Sequence, residues 1–181
     1  MSDHLRETRI DGERVYDGQV VKLEVDRVRL PDGRESVREV VRHPGAVMVV
    51  PLTDDGRVVM VRQHRYCTGE ALLELPAGTL EPGEEPLACA QRELVEETGY
   101  QARDWRHLAS FYTTPGFTDE LIHCYLASGI TLGERAGGDE DELIELAMLP
   151  LSSAQTLARR GEIRDAKTMV GLLLTKVDEG R

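Results

Sequence analysis

The residues in this sequence with the clearest chemical potential are glutamates at helical spacing between residues 84 and 97. Glu93, Glu96 and Glu97 fall within about one turn of a helix, and a rotation of about 100° per residue places them on one face. Like charges at this spacing destabilise a helix unless cations neutralise them. Hard divalent cations prefer oxygen ligands, and Mg²⁺ commonly bridges carboxylates to substrate phosphates. The spacing alone therefore leaves two alternatives, a divalent-metal site or a solvated acidic face.

The residues around these glutamates form a longer motif with fixed spacing. From Gly78 to Tyr100 the chain reads GTLEPGEEPLACAQRELVEETGY. It fits the Nudix box, GX5EX7REUXEEXGU with U a bulky apolar residue, and has Gly78, Glu84, Arg92 and Gly99 at the remaining fixed positions. Tyr100 is a mild departure, because the last U position is usually aliphatic. Since a long motif of fixed spacing rarely arises by chance, the sequence resembles the Nudix hydrolases.

The resemblance implies both a fold and a cofactor. The fold is of the α/β class, an α/β/α sandwich with a mixed β-sheet, preceded by an N-terminal antiparallel β segment. The reaction is Mg²⁺-dependent hydrolysis of a nucleoside diphosphate linked to another moiety, with Mn²⁺ as a substitute for Mg²⁺. The metal ligands correspond to Glu93, Glu96, Glu97 and the backbone carbonyl of Ala77, and Glu96 and Glu97 are also catalytic candidates. Such metal ions would offset the acidic charge and lower the pKa of an attacking water.

The other box residues are predicted to hold the site in place. Gly78, assigned to the substrate side, lacks a Cβ, so the backbone can approach a metal–phosphate cluster closely. Glu84 and Arg92 can form an ion pair that ties the loop to the helix. We expect this helix to span 85–98, with a proline in its first turn and Gly99 just past its end. The face predicted to be buried carries Leu87, Ala90, Leu94 and Thr98.

Residues outside the box point to a substrate class. Pro115 and Gly116 stand in the sequence TTPGFTDE, a context that resembles the ADP-ribose pyrophosphatase subfamily. In that subfamily the residue matching Arg65 contacts the diphosphate, to which a guanidinium can donate two parallel hydrogen bonds. The residues matching Arg42 and Glu120 line the substrate pocket, although Arg42 fits a surface ion pair about equally well.

Two further regions fit the same subfamily. Glu74, two residues before a proline, is assigned to substrate binding on this resemblance. The acidic run 137–142 reads GGDEDE, and its composition alone favours a solvated turn. The resemblance instead implies a mobile catalytic loop in which Glu140 is the general base and Glu142 is an added metal ligand. A loop glutamate that moves in with the substrate would complete the site and limit hydrolysis in its absence.

The predicted reaction is hydrolysis of ADP-ribose to AMP and ribose 5-phosphate. One alternative keeps the chemistry and changes the substrate to another nucleoside-diphosphate sugar, GDP-mannose or ADP-glucose. A second alternative is a non-catalytic, nucleotide-sensing module with a Nudix-like fold. Such modules tend to lose carboxylates from the box, whereas this chain retains them, which favours an enzyme.

The composition argues against several other classes of protein. The 181 residues carry a formal net charge of -11 and a pI of about 4.9, so a basic nucleic-acid-binding surface is not expected. No apolar run is long enough to cross a membrane, and the first residues lack the apolar core of a signal peptide. The three cysteines form no paired motif. We therefore expect a cytoplasmic protein whose partner is a small nucleoside diphosphate, with no nucleic acid or membrane.

The elements that position the candidate residues fall into two predicted regions. Residues 1–42 form the N-terminal β segment, which the resemblance implies is exchanged between the subunits of a homodimer. Residues 43–181 form the Nudix hydrolase domain, with strands before the box helix and two helices at the end. The other expected elements are a loop over 76–83, a short helix capped by Ser152 or Ser153, and a helix over 165–177 that buries Met169, Leu172 and Leu173.

Overall fold

The computed structural model describes residues 3–133 and 143–176, and the chain packs as two compact units. The first unit consists of Met1–Gly45 and Tyr112–Leu121. The second unit consists of Ala46–Phe111 and Ile122–Arg181. The short segment 112–121 therefore joins the N-terminal strands, although it is far from them in the sequence.

The first unit is built on a three-stranded antiparallel sheet, which follows a short 3-10 helix at Asp3–Leu5. Its strands in chain and spatial order are β1 (Thr8–Asp17), β2 (Lys22–Arg29) and β3 (Glu35–Arg42). The predicted reversal after β2 is present, and the N–H of Gly33 donates to the carbonyl of Leu30 at 2.9 Å. Segment 112–121 is attached to β3 by a 2.8 Å bond from the N–H of Val41 to the carbonyl of Phe117.

The second unit contains two sheets and three helices. The strands are β4 (Ala46–Pro51), β5 (Arg57–Arg65), β6 (Glu70–Glu74), β7 (Ala77–Thr79), β8 (Tyr100–Tyr112), β9 (Leu121–Leu132) and β10 (Ile144–Pro150), and the helices are α1 (Pro86–Thr98), α2 (Leu151–Arg159) and α3 (Ala166–Leu174). One sheet has the order β10-β5-β6 and is antiparallel. The other has the order β7-β4-β9-β8 and is mixed, because β4 runs antiparallel to β7 and parallel to β9.

Strand β4 is the centre of the second unit, and every one of its residues is buried. Met48 and Val50 belong to a core cluster that includes residues of α2 and α3. Val47 and Val49 face the opposite way and pack in a second cluster with Leu94 of α1. A strand buried on both faces reads as a continuous apolar run because helices cover both sides of its sheet. The predicted α/β/α sandwich is confirmed.

Helix α1 matches its predicted bounds to within one residue. Gly99 follows it at φ 74°, a left-handed conformation that glycine adopts without strain, and its N–H donates to the carbonyl of Val95. The buried face includes Ala90, Leu94 and Thr98, as expected, but Leu87 is 39% exposed. The buried face also includes Glu97, which periodicity of apolar residues alone does not predict. The buried carboxylate of Glu97 accepts a hydrogen bond from the backbone of β7.

Three secondary-structure predictions are wrong in detail. Strand β7 lies inside the predicted loop over 76–83, where its three residues pair with β4. Helix α2 begins directly after Pro150 and has no side-chain cap, because the helix starts before either predicted serine is reached. Helix α3 ends at Leu174, since Thr175 is extended, and Leu173 is exposed rather than buried. Within residues 3–133 and 143–176, no helix combines the length and apolar character needed to cross a membrane.

Candidate active site

In the box region, Gly78 of β7 lies close to the side chain of Glu93 in α1. A Cβ atom built on Gly78 would lie 1.9 Å from both Cδ and Oε1 of Glu93. The carboxylate of Glu93 therefore occupies the space that a side chain at position 78 would need. In this arrangement a side chain at position 78 would displace the Glu93 carboxylate, which lies against the backbone of β7.

Glu97 holds the neighbouring residue of the same strand. The N–H of Ala77 donates to Oε2 of Glu97 at 3.1 Å. On the other side, the N–H of Val49 donates to the carbonyl of Pro76 at 2.9 Å. Ala77, whose carbonyl is a predicted metal ligand, is thus fixed between the buried strand β4 and the box helix.

Arg92 lies at the centre of the box carboxylates. Its Nε and Nη2 donate to the two carboxylate oxygens of Glu84, each at 3.0 Å, so the predicted ion pair is present and bidentate. Its Nη1 donates to Oε1 of Glu93 at 2.7 Å and to Oε2 of Glu96 at 2.9 Å. One guanidinium therefore orders three carboxylates, and it ties the loop before α1 to the helix.

These contacts perturb the ionisation of the groups that make them. The hydrogen bonds from Arg92, with one from the backbone N–H of Glu81, lower the pKa of Glu84 to about 2. The same carboxylates raise the pKa of Arg92, with Glu84 contributing most. Burial, together with the nearby Glu84 carboxylate, raises the pKa of the Cys89 thiol to about 12, so it stays protonated near neutral pH. The charges of the Glu84–Arg92 pair therefore persist across the physiological range.

The donor set at this site is compatible with a divalent cation. Glu93, Glu96 and Glu97 offer carboxylate oxygens, and the carbonyl of Ala77 is carried by the strand that Glu93 contacts. Such hard oxygen donors suit Mg²⁺ or Mn²⁺. In the described conformation of residues 3–133 and 143–176, no group of three or more His, Cys, Asp or Glu side chains is arranged to hold a metal ion. Because Arg92 contacts Glu93 and Glu96, their carboxylates would have to turn from it to bind a cation.

A second group of charges lies on β5, β6 and α3. Glu74 is buried, and its two oxygens accept from Nε of Arg65 at 2.8 Å and from Nη2 of Arg65 at 2.9 Å. Lys167 also donates to Oε2 of Glu74. Burial raises the pKa of Glu74, but the bonds and charges of Arg65 and Lys167 outweigh it, so the pKa lies below its usual value. The structure thus brings together two predicted substrate-binding residues, Arg65 and Glu74.

In the first unit, Arg42 is surrounded by carboxylates. Its Nε donates to Glu24 at 2.8 Å, its Nη1 to Asp119 at 3.1 Å, and its Nη2 contacts Asp26 at 3.4 Å. Asp119 also accepts from the N–H of His43 at 2.8 Å. Of the two alternatives for Arg42, the geometry favours the ion pair, because all three guanidinium nitrogens face protein carboxylates.

The other predicted pocket residues of the first unit lie on or beside one turn. Pro115 and Gly116 are exposed at its centre, and the N–H of Phe117 closes it by donating to the carbonyl of Thr114 at 3.1 Å. Glu120 follows the turn, with Oε1 at 3.6 Å from Nε2 of His43. The two catalytic-loop candidates, Glu140 and Glu142, lie outside the described residues.

Sequence reasoning missed Lys167, Thr168 and Asp119. One signal was available for the first of these, because Glu74 interrupts the apolar run LLEL and a buried carboxylate requires a cationic partner. The sequence does not say which cation this is. No local signal exists for Asp119, whose partner Arg42 is 77 residues away in the chain.

Comparison with known families identifies both parts of the chain. Residues 42–170 match the NUDIX domain, and residues 7–41 match the nucleoside diphosphate sugar hydrolase N-terminal domain. The chain is 44% identical to a methanol dehydrogenase activator of Bacillus methanolicus, over 99% of this chain and 97% of that protein. It is 43% identical to an ADP-ribose pyrophosphatase of Bacillus subtilis, over 97% and 95% of the two chains.

More distant relatives extend the comparison to another substrate and to a solved structure. A GDP-mannose pyrophosphatase of Citrobacter koseri is 39% identical, over 71% of each chain. The crystal structure of an ADP compounds hydrolase superposes with a TM-score of 0.84 at 26% identity, and covers 96% of this chain and 94% of that one.

Proposed function

Because the chain belongs to the Nudix family of hydrolases, we propose that it hydrolyses ADP-ribose to AMP and ribose 5-phosphate with Mg²⁺ as its cofactor. The observation that carries this proposal is the contact of the Glu93 carboxylate with the backbone at Gly78, beside the Ala77 carbonyl. It gathers oxygen donors from a helix and a strand at one place. The 43% identity to an ADP-ribose pyrophosphatase over nearly the whole chain supports this choice of substrate.

The reaction transfers a phosphoryl group to water. The water oxygen forms a bond to one phosphorus of the diphosphate, and the bond from that phosphorus to the bridging oxygen breaks. The bridging oxygen leaves with the other phosphate, and the proton of the attacking water passes to a base. Catalysis of this kind depends mainly on positioning and on electrostatic stabilisation of the phosphate oxygens.

The box residues are proposed to bind the cation and to orient it. Glu93, Glu96, Glu97 and the carbonyl of Ala77 would hold Mg²⁺, for which Mn²⁺ would substitute. When bound, the cation supplies charge neutralisation at the diphosphate and lowers the pKa of the attacking water. Arg92 orders Glu93 and Glu96 through hydrogen bonds that these carboxylates would exchange for the cation, and Glu97 keeps Ala77 in place.

The remaining residues are proposed to bind the substrate. Arg65 would donate to the diphosphate, with Glu74 holding its guanidinium. Gly78 would leave room for a phosphate near the backbone once the Glu93 carboxylate has turned away. In the first unit, Pro115, Gly116 and Glu120 would line the pocket. For Arg42 we propose the role that its carboxylate contacts favour, which is to attach segment 112–121 to β2 and β3.

The general base is proposed to be Glu140, with Glu142 as an added metal ligand and Glu96 or Glu97 as the alternative base. A general base contributes about 10²- to 10⁴-fold to a rate, so Glu140→Gln should lower kcat by that order while KM barely changes. Glu142→Gln should instead shift the Mg²⁺ dependence, and excess metal should recover part of its rate. If Glu140→Gln keeps an unchanged kcat at saturating metal, the base would instead be Glu96, Glu97 or Glu74.

The experiment that tests the function is a substrate panel with Mg²⁺, Mn²⁺ and EDTA. ADP-ribose, GDP-mannose and ADP-glucose should each be assayed by product release, and we expect the highest kcat/KM for ADP-ribose with Mg²⁺. A preference for GDP-mannose would favour the alternative that the Citrobacter relative supports. Binding of a nucleotide without hydrolysis of any substrate would favour a sensing module.

A homodimer that exchanges the N-terminal β segment is part of the proposal. The segment exposes apolar side chains that a partner subunit could cover, namely Val15, Tyr16, Val20, Val21 and Val37. Light scattering at micromolar concentration should give twice the mass of 20.2 kDa. An active monomer under these conditions would contradict the exchange. We also propose a cytoplasmic location, which the three free cysteines support.

A further inference from the structure

The first turn of α3 and the loop before it contact strand β6 and the residue after it at three points. Arg164 pairs with Glu70, Lys167 pairs with Glu74, and the hydroxyl of Thr168 accepts from the N–H of Leu75 at 2.8 Å. These three contacts hold the chain just before the Ala77–Gly78 backbone that Glu93 and Glu97 contact.

We propose that Lys167 is a positioning residue, which acts through Glu74 to fix the Arg65 guanidinium in the orientation that binds the substrate diphosphate. The inference rests on the proposed function, because it takes the diphosphate of ADP-ribose as the ligand of Arg65. Lys167 itself contacts Glu74 and Asp165.

The hydrogen bonds form a continuous path from α3 to Arg65. Asp165 caps α3 by accepting from the N–H of Thr168 at 3.0 Å, and its other oxygen accepts from Lys167 at 3.0 Å. Lys167 donates to Glu74, and Glu74 holds Arg65 through two parallel bonds. A bidentate pair fixes the plane of the guanidinium relative to the carboxylate. The orientation of Arg65 is therefore set by a helix N-terminus rather than by its own flexible side chain.

Burial is greatest at Glu74, in the middle of this path. The side chain of Arg65 is 39% exposed, that of Lys167 is 18% exposed and that of Glu74 is 2% exposed. Replacing a buried ion pair with apolar residues is often neutral or stabilising, so stability alone would favour an aliphatic side chain within the apolar run LLEL. The buried Glu74 carboxylate binds the partly exposed Arg65, and a role in orienting Arg65 explains it better than a contribution to stability does.

The contacts of Glu74 with Arg65 and Lys167 also persist near neutral pH. Burial opposes ionisation of Glu74, yet the two cations keep its pKa below the usual value. The carboxylate is therefore charged near neutral pH, and both of its partners remain bound to it.

The test is the variant Lys167→Met, which keeps much of the side-chain volume and removes the ammonium group. Affinity for ADP-ribose is measured by calorimetry in EDTA, and kcat and KM are measured with Mg²⁺. Loss of orientation should weaken affinity and raise KM by about 10-fold, while kcat changes by less than about 2-fold. Lys167→Arg should restore both values, and Lys176→Met, at an exposed lysine, should leave them unchanged. Lys167→Gln replaces Lys167→Met if the latter does not fold.

A double-variant cycle decides whether Lys167 acts through Arg65. Arg65→Met alone and Arg65→Met with Lys167→Met should bind ADP-ribose equally weakly, because the second change removes only the support of an absent arginine. Additive losses, or a fall in thermal stability with unchanged KM, would overturn the inference and leave the proposed function standing. A wild-type protein that neither binds nor hydrolyses ADP-ribose would overturn both.

Discussion

Two clusters in this protein place one guanidinium among three carboxylates, and they differ in sequence separation and in charge balance. The carboxylates around Arg92 belong to Glu84, Glu93 and Glu96. Those around Arg42 belong to Glu24, Asp26 and Asp119. The first set lies within one loop and one helix, whereas the second set comes from a strand and a distant segment.

The charge balance of the two clusters points to different roles. The stretch 84–97 contains five glutamates and one arginine, so it carries an acidic excess at fixed local spacing. In the first unit, Arg9 also pairs with Asp26, and Arg14 pairs with both Glu24 and Asp17, so three arginines meet four carboxylates. We therefore interpret the acidic excess around Arg92 as the proposed cation site, and the more nearly balanced cluster around Arg42 as a structural joint.

The largest effect is expected from Glu97→Gln in the acidic cluster. The amide that replaces the carboxylate would keep an oxygen that accepts from the N–H of Ala77, so the fold should be retained while a charged metal ligand is lost. We expect the Mg²⁺-dependent rate to fall by at least about 100-fold, with little change in thermal unfolding. The control is Glu145→Gln, at an exposed glutamate of β10. Full Mg²⁺-dependent turnover in the Glu97→Gln variant would contradict the proposal that the acidic cluster binds the cation.

A smaller effect, on stability rather than rate, is expected from Arg42→Met in the balanced cluster. Among the described residues, the variant leaves Arg9 as the ion-pair partner of the buried Asp26, and Asp119 loses its ion pair with position 42. Because Arg42 is partly exposed, we expect the free energy of unfolding to fall by about 1–2 kcal/mol, measured in urea. The rate at saturating ADP-ribose should change by less than about 2-fold.

The control for this variant is Arg34→Met, which removes an exposed ion pair with Asp32 in the same unit and should have almost no effect on stability. A large loss of kcat in Arg42→Met, with unchanged stability, would mean that Arg42 acts on the reacting groups and not as a joint.

The smallest effect is a pH dependence at Glu84. Its pKa in the folded protein is about 2, against an ordinary value of 4.5, so the folded state favours the ionised carboxylate. The stability that it contributes is present above about pH 4.5 and is lost as the pH falls towards 2. The difference in unfolding free energy between wild type and Glu84→Gln should therefore be constant near neutral pH and shrink over this window.

The same measurement on Glu24→Gln compares the two clusters, because Arg42 and Arg14 also lower the pKa of Glu24. If the difference in unfolding free energy between wild type and Glu84→Gln grew as the pH fell, this would contradict a stabilising ion pair between Glu84 and Arg92.

The sequence predicted the parts of this protein that depend on local spacing. The bounds of α1, the left-handed Gly99 and the Glu84–Arg92 pair all follow from residues within a few turns of one another. The central strand β4 was visible as an apolar run, since burial on both faces leaves no alternation. Mg²⁺ dependence, the roles of the site residues and the dimer remain predictions.

What the sequence could not predict depends on contacts between distant residues or on very short elements. Strand β7 has only three residues, too few for an alternating pattern, and it is defined by pairing with β4. Leu87 fits the apolar face of α1 by periodicity, yet it lies in the first turn and remains exposed. Lys167 is 93 residues from Glu74 in the chain. The glutamate within an apolar run indicated that a cationic partner exists, but not which residue it is.

The bond from the N–H of Val49 to the carbonyl of Pro76 gives the protein an internal reporter. Val49 is fully buried in β4, and its amide proton can reach solvent only when that strand separates from the chain leading into β7. Amide hydrogen exchange at this one position therefore measures the opening free energy of the backbone that carries Ala77 and Gly78. The exchange rate would tell whether the Ala77–Gly78 backbone opens together with the whole of the second unit or by itself.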